Sequence, residues 1–505
     1  MAQPELNQRL TTVDASFLYF ERKEAPLHIG GIHVFDGEIP YDDFMRLIDA
    51  KLYQLPRYQQ IVRPAPFNVG HPTWEFDPNF DVKRHVFQVQ IDAPGTSDQL
   101  RELAAQLLNG MLDRDKPLWE IYVVKGLEGG KGALVSKVHH AMVDGISGVD
   151  LMKIMFDISP NTTIPAKVET PKPAPRSSMD LTRSYIDGLL GGLEEGMKSW
   201  NEFQRSLLNL TETFIKDDPR KLRQSTQNLI PSVAAPVSLM PFNKPNSGQQ
   251  KLGWSAFSFA EARAIRAAIG GTVNDVVLTV LSGAISTYVE MHGMKTAGRT
   301  LRVMVPVSMR KEDQRGALGN LVSILPVEIP LDLKNPLERY AFLTKKTGTL
   351  KGAKVAEGIN LLSALMGTVP ASIQAVVGSL ANTSVPPFNI VCTNVPGPQI
   401  PLYVLGQKMT ESWPYVPTSF SLGVSVGIMS YDQKLFFGVI ADAQAMPDVD
   451  KLIQYLNESF AELRTAAGVV ETRPPEVDTT SAKTTKSRSK ARGASAKAKE
   501  RLVTD

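Results

Sequence analysis

The stretch 136-SKVHHAMVDGISG-148 sets two adjacent histidines, His139 and His140, ahead of Asp144 and Gly145 in a chain that has seven histidines. Just upstream, 118-LWEIYVVKGLEGGKGALVSKV-138 holds two β-rich runs around a Gly-rich turn, which predicts a hairpin whose second strand runs straight into His139. Three uses of the imidazole pair compete. On a helix, His140 and Asp144 would share a face and, with His139, imitate a two-His, one-carboxylate metal site. Against this, adjacent side chains diverge and no further histidine cluster lies nearby, so the sequence predicts no metal. A structural pair would satisfy both rings in the core. The third use is proton transfer, for which imidazole has the side-chain pKa nearest neutrality.

Working outward, residues 1–160 read as one α/β unit. Phe44, Leu47, Ile48, Leu52 and Leu55 recur at helical spacing in 41–55, and Leu100, Leu103, Leu107, Leu108 and Met111 do so in 96–112. Thr96 and Gln99 have the spacing of a capping box. Residues 161–250 open within a Pro-rich run, 160–178, and continue into a single apolar stripe from Leu181 to Phe214, an amphipathic helix that could pack on the protein or rest on a lipid surface. Residues 251–470 form the second unit. There Thr272 and Asp275 have N-cap spacing ahead of Val276, Val277, Val280, Leu281, Ala284 and Ile285. Strand-like runs follow at 301–310, 320–331 and 388–397, with a hairpin at 424–442 turning at Asp432-Gln433. Two α/β layers facing each other are the predicted architecture. Residues 471–505, with few apolar anchors, read as a disordered basic tail.

With 505 residues the chain exceeds what one core usually holds, which favours two domains. The one cysteine, Cys392, allows no intrachain disulfide and no cysteine-based metal array. From Thr479 to Arg501 there are five Lys and three Arg against one Glu, so the net charge of +3 belongs to the tail and nucleic acid is a poor partner for the body. Residues 1–20 lack the pattern of a secretory signal, and no uninterrupted apolar run is long enough to span a bilayer. A cytoplasmic protein is the expectation.

The His-His-x-x-x-Asp-Gly run resembles the HHxxxDG motif of the CoA-dependent acyltransferase superfamily, which includes chloramphenicol acetyltransferases, plant alcohol acyltransferases and peptide-synthetase condensation domains. VDASFLYFERKEAPLHIGGIHVF, DKPLWE, GGTVNDVVL, VPVSMR, LGN and NVPGP occur in the order found in bacterial wax ester synthase/diacylglycerol acyltransferases, a resemblance covering about residues 10 to 465. It implies a two-domain, chloramphenicol acetyltransferase-like α/β fold with an interdomain tunnel. It also implies that His140 is the general base and that His139 supports it. Asp144 would pair with Arg310 to fix the loop rather than touch substrate, while Gly145 permits close backbone approach. Asn274 and Asp275 read as helix-start support. Thr393, in 392-CTNVPGP-398, is the oxyanion candidate on the analogy of a serine in the chloramphenicol acetyltransferases, although the match slips by a residue.

The function this implies is O-acyl transfer of a long-chain fatty acyl group from acyl-CoA to diacylglycerol or a long-chain alcohol, giving triacylglycerol or wax ester. Acyl-CoA is a co-substrate and no cofactor is implied. Such acceptors reside in membranes or lipid droplets, so peripheral contact with the inner membrane or a droplet surface is expected. The alternatives are a lipid-surface binding protein with a degenerate acyltransferase fold and a condensation-domain-like amide synthase. An intact motif speaks against the first and the lack of a carrier domain against the second.

Overall fold

The computed structural model describes residues 8–65, 70–142, 152, 155–161, 163–168, 237–308, 322–352, 386, 388–418 and 421–472. The stripe at 181–214, most of the Pro-rich run, and the tail beyond residue 472 lie outside them. Residues Met1–Val469 form one compact unit, with Val470–Asp505 a second.

The predicted hairpin is present as β5 (Trp119–Lys125) and β6 (Gly132–His139), paired from Trp119 opposite Val138 to Val124 opposite Ala133. Its turn needs glycine: Gly126 sits at φ 85°, a conformation that a Cβ disfavours. On its other edge β6 pairs antiparallel with β1 (His28–Phe35), while β5 pairs parallel with β4 (Val86–Gln90). Helices α1 (Thr12–Phe20), α2 (Tyr41–Lys51) and α3 (Ser97–Leu108) accompany this sheet. The Thr96/Gln99 capping box forms at the start of α3. The helix expected over 41–55 ends earlier, at Lys51. A 3-10 turn follows, Leu52–Gln54, ahead of Pro56, whose ring cannot continue a helix. A two-stranded ribbon, β2 (Gln60–Arg63) with β3 (Thr73–Phe76), stands apart.

The second sheet has the order β7 (Gln250–Ser258), β14 (Lys434–Asp442), β13 (Val424–Tyr431), β10 (Ile390–Pro396), β8 (Thr300–Ser308), β9 (Val322–Pro330). The β13–β14 hairpin turns at Asp432-Gln433, both at positive φ, as read from the sequence. Four helices pack with it: α4 (Phe259–Ile269), α5 (Val273–Met291), α6 (Pro336–Gly352) and α7 (Val449–Ala466). Apolar nearly all round, α5 is buried from Asp275 to Ser286. Among the described residues no single helix is long and apolar enough to cross a membrane. The bent pair α4–α5 has the composition, but α5 is a core helix.

Sheet membership does not follow the halves of the chain. The first sheet is completed by β11 (Tyr403–Val404) and β12 (Gln407–Tyr415), which come from the C-terminal half, and β12 lies beside β1 with Trp413 opposite Ile32. At its far end β12 presses on the second sheet so closely that a Cβ on Gly438 would run into the Pro414 carbonyl. Trp413 also stacks on Trp254 of β7, centroids 5.1 Å apart. One strand and one indole pair thus bind the two sheets together.

Candidate active site

At the end of strand β6 the last amides bond to the residues that lead into β5 and β1. The His139 N–H donates to the Leu118 carbonyl and the His140 N–H to the Leu27 carbonyl, each at 2.9 Å, and a 3-10 turn, His140–Met142, follows. The two rings have different surroundings. His139 is buried, and its Nδ1 accepts the Ala141 N–H at 3.0 Å, so the proton of the neutral ring sits on Nε2. That nitrogen faces Glu21 Oε1 at 3.4 Å. Nδ1 is taken by an amide and Nε2, which makes no hydrogen bond, is buried against the Glu21 carboxylate, so the His139 ring is closed off from substrate. Among the described residues no group of three or more His, Cys, Asp or Glu gathers as a metal site.

Glu21 is itself buried at the end of α1. It accepts the Leu27 N–H at 3.1 Å and Arg114 at 2.9 Å. Burial alone would push its carboxyl up; the contact with His139, then Arg114 and the Leu27 amide, outweigh burial and hold it at about 2. It is therefore ionised at every working pH.

His140 is half-buried, and Phe17 of α1 lies flat on its ring, centroids 3.9 Å apart and planes 13° from parallel. Its Nδ1 has no hydrogen-bond partner among the described residues. Burial, reinforced by the neighbouring His139, lowers its pKa to about 4, so at neutral pH it is an uncharged imidazole. The His139 ring is thus buried, while the His140 ring remains partly exposed although its Nδ1 is covered.

On the same face of β6, two residues before His139, the buried Lys137 meets Glu120 of β5 at 3.0 Å, and Lys116 meets the same carboxylate at 3.0 Å. Tyr122 donates to Glu120 at 2.6 Å, so this second charged group is internally satisfied.

The remaining candidates do not converge on His140 in the described structure. Asp144, Gly145 and Arg310 lie outside the described residues. Asp275 completes the capping box of α5, accepting from the Thr272 N–H at 2.8 Å and from Thr347 Oγ1 at 2.7 Å, so its hydrogen bonds are those of structural support. Asn274 is half-buried on the first turn of the same helix. Thr393 is a half-buried residue of β10 in register with Gly427, and among the described residues no hydrogen bond joins it to His140. Glu21, Arg114 and Phe17 were not singled out by sequence reasoning. The available signal was position: Glu21 closes the apolar run SFLYF, and Arg114 precedes DKPLWE.

Two six-stranded sheets packed through β12, with the histidine pair at the end of a central strand, give the two-layer α/β arrangement that the sequence resemblance to CoA-dependent acyltransferases implies. The model of the "Wax ester synthase/diacylglycerol acyltransferase catalytic domain" matches residues 10–277 and that of the "WS/DGAT C-terminal domain" matches 318–464. The chain belongs to the wax ester synthase/diacylglycerol acyltransferase family and is an acyltransferase enzyme. A Mycobacterium tuberculosis protein named "Probable diacylglycerol O-acyltransferase tgs1" is 28% identical over 458 residues, covering 90% of this chain and 95% of that protein. A second from the same organism, tgs2, is 29% identical over 470 residues, covering 90% and 98%. The wax ester synthase/diacylglycerol acyltransferase of Marinobacter aquaeolei shares the fold, with a TM-score of 0.62 and 23% identity over 92% of this chain and all of that one. The starter condensation domain of the rhizomide synthetase RzmA does so more distantly, with a TM-score of 0.51 and 12% identity over 94% and 97%.

Proposed function

We propose that this protein transfers a long-chain fatty acyl group from acyl-CoA to diacylglycerol, giving triacylglycerol, or to a long-chain alcohol, giving wax ester. His140 acts as general base. It takes the acceptor's hydroxyl proton as the oxygen attacks the thioester carbonyl, and returns it to the CoA thiolate as the C–S bond breaks. No enzyme-bound acyl intermediate and no cofactor enter the reaction. The observation that carries the reading is the contrast within the pair: His140 is half-buried at the end of β6 and neutral, whereas His139 is buried, its Nδ1 taken by the Ala141 N–H and its Nε2 turned to the Glu21 carboxylate at 3.4 Å. The names of the mycobacterial relatives support the acceptor class.

Asp144 paired with Arg310 fixes the loop after His140, Gly145 permits its close approach, and Thr393 is the candidate for the oxyanion. The two substrates meet in a tunnel between the sheets, acyl-CoA entering from one mouth and the acceptor from the other. Because the acceptors are insoluble in water, the enzyme works from the cytoplasmic side at the surface of the inner membrane or a lipid droplet, aided by the basic run 479–501. The test is incubation of the full-length protein with palmitoyl-CoA and either dioleoylglycerol or hexadecanol in anionic vesicles, following thiol release and the neutral lipid formed. Thiol release that requires an acceptor and yields matching ester supports the reading. Hydrolysis alone, or no turnover with either acceptor, contradicts it.

A further inference from the structure

The turn that carries His140 is anchored at the amides on either side of its Cα. The His140 N–H donates to the Leu27 carbonyl at 2.9 Å, and the next N–H, of Ala141, donates to His139 Nδ1 at 3.0 Å. Both anchors lead to one oxygen. Glu21 Oε1 accepts the Leu27 N–H at 3.1 Å and stands 3.4 Å from His139 Nε2. The other carboxylate oxygen accepts from Arg114 at 2.9 Å, and the same Arg114 nitrogen donates to the Leu18 carbonyl at 3.0 Å, on the helix whose Phe17 covers the His140 ring.

An apolar side chain of similar volume would close the end of α1 at least as favourably as a desolvated carboxylate, since burying charge is expensive even when it is paired. What an apolar side chain cannot do is accept the Leu27 and Arg114 hydrogen bonds or set a negative charge beside His139. An amide can donate to His139 Nδ1 only while the ring proton is on Nε2, and a carboxylate 3.4 Å from Nε2, without a formed hydrogen bond, favours the proton there by its charge.

We propose that Glu21 is a positioning residue for acyl transfer: by fixing the tautomer of His139 and the place of Leu27, it sets the turn that aims His140 at the acceptor hydroxyl, and Arg114 holds Glu21 for this task. The proposal rests on His140 being the base. It places a charged residue at the end of α1 in the reaction without contact with substrate.

The test compares Glu21→Ala, Glu21→Gln, Arg114→Lys and His140→Ala in the full-length chain, measuring kcat, the KM for palmitoyl-CoA and the imidazole 15N signals of histidine-labelled protein. In wild type, His139 should show a protonated Nε2 and a bare Nδ1. Glu21→Ala should turn this into a mixed-tautomer signal and lower kcat by about a hundredfold, the scale of a misplaced reacting group, with KM changed by less than about twofold. Glu21→Gln keeps one acceptor oxygen but turns an amide NH2 toward its partners, and should lower kcat by about tenfold. Arg114→Lys should lower kcat less and leave the His139 signal as it is.

A purely structural role would reduce the amount of folded enzyme without changing the tautomer or the kcat of what remains. The proposal is overturned if folded Glu21→Ala keeps kcat within about twofold of wild type or leaves the His139 signal unchanged. If Glu21→Ala does not fold, wild-type kcat in both Glu21→Gln and Arg114→Lys overturns it equally. His140→Ala separates the two layers. Retained turnover there refutes the base itself, whereas loss there with wild-type Glu21 variants refutes only the positioning.

Discussion

The two sheets bury different chemistry. The first sheet and its loops enclose ionisable side chains: His28, His33, His71, His85, Glu21, Glu120, Lys137 and His139 are all buried. The second encloses a helix, α5, whose buried face runs Val276, Val277, Val280, Leu281, Ala284, Ile285, with its one buried acid, Asp275, spent on a cap. Apolar burial is non-directional and supplies stability. Buried polar groups cost desolvation but fix orientation through hydrogen bonds. Among the described residues the buried imidazoles all lie in the first half, whereas the second buries charges, Glu261, Arg302 and Asp442 beside Asp275, in ion pairs and backbone hydrogen bonds around an apolar helix.

Asp275→Ala breaks this comparison if acids in the second half also serve chemistry. It removes the acceptor for the Thr272 amide and for Thr347, and should lower stability by about 1–3 kcal/mol, the scale of a buried polar group left unsatisfied, while kcat per folded molecule stays at the wild-type value. Chemical denaturation alongside active-site-normalised kinetics checks it. A fall in kcat without a fall in stability would move Asp275 into the catalytic machinery.

Acid sharpens the comparison with a smaller effect. Burial lowers the pKa of His28 to about 3 and of His33, His71, His85 and His140 to about 4, and all five belong to the first half. In the unfolded chain these rings take up protons near 6.5, so between pH 6.5 and 4 the unfolded state binds more protons and stability falls as pH falls. Glu21, with its carboxyl held at about 2, contributes stability that is fully present above the ordinary carboxylate range and is lost only as pH falls through that range toward 2, so it adds nothing to the slope above it. Melting temperature should therefore decline steadily from pH 6.5 to 4.5. A flat profile over that interval would mean that the rings are not held neutral.

Much of this was legible in the sequence because it is local. The β5–β6 hairpin, the Thr96 and Thr272 caps and the Asp432-Gln433 turn each depend on residues within a few positions of one another. The adjacent histidines at a strand end were visible for the same reason. The pairing of β12 with β1 was not, since it joins segments some 380 residues apart with no local signal, and the packing of β12 on β14, marked by Gly438 facing Pro414, likewise has meaning only once the strands are together. Glu21 and Arg114 were missed for a related reason. In a sequence, an isolated Glu and an isolated Arg read as surface charges, and only the fold shows that one is buried against His139 and the other closes the pair.

The central claim is that one histidine of the pair transfers the proton and the other holds it in place. Thiol release from palmitoyl-CoA with dioleoylglycerol, measured at saturating substrate for wild type, His140→Ala and His139→Ala, tests it most directly. The account predicts that His140→Ala loses at least about a hundredfold in kcat with its circular dichroism unchanged, and that His139→Ala, whose ring acts only through the turn, loses less. Near-normal turnover in folded His140→Ala, or a larger loss in His139→Ala, would contradict it.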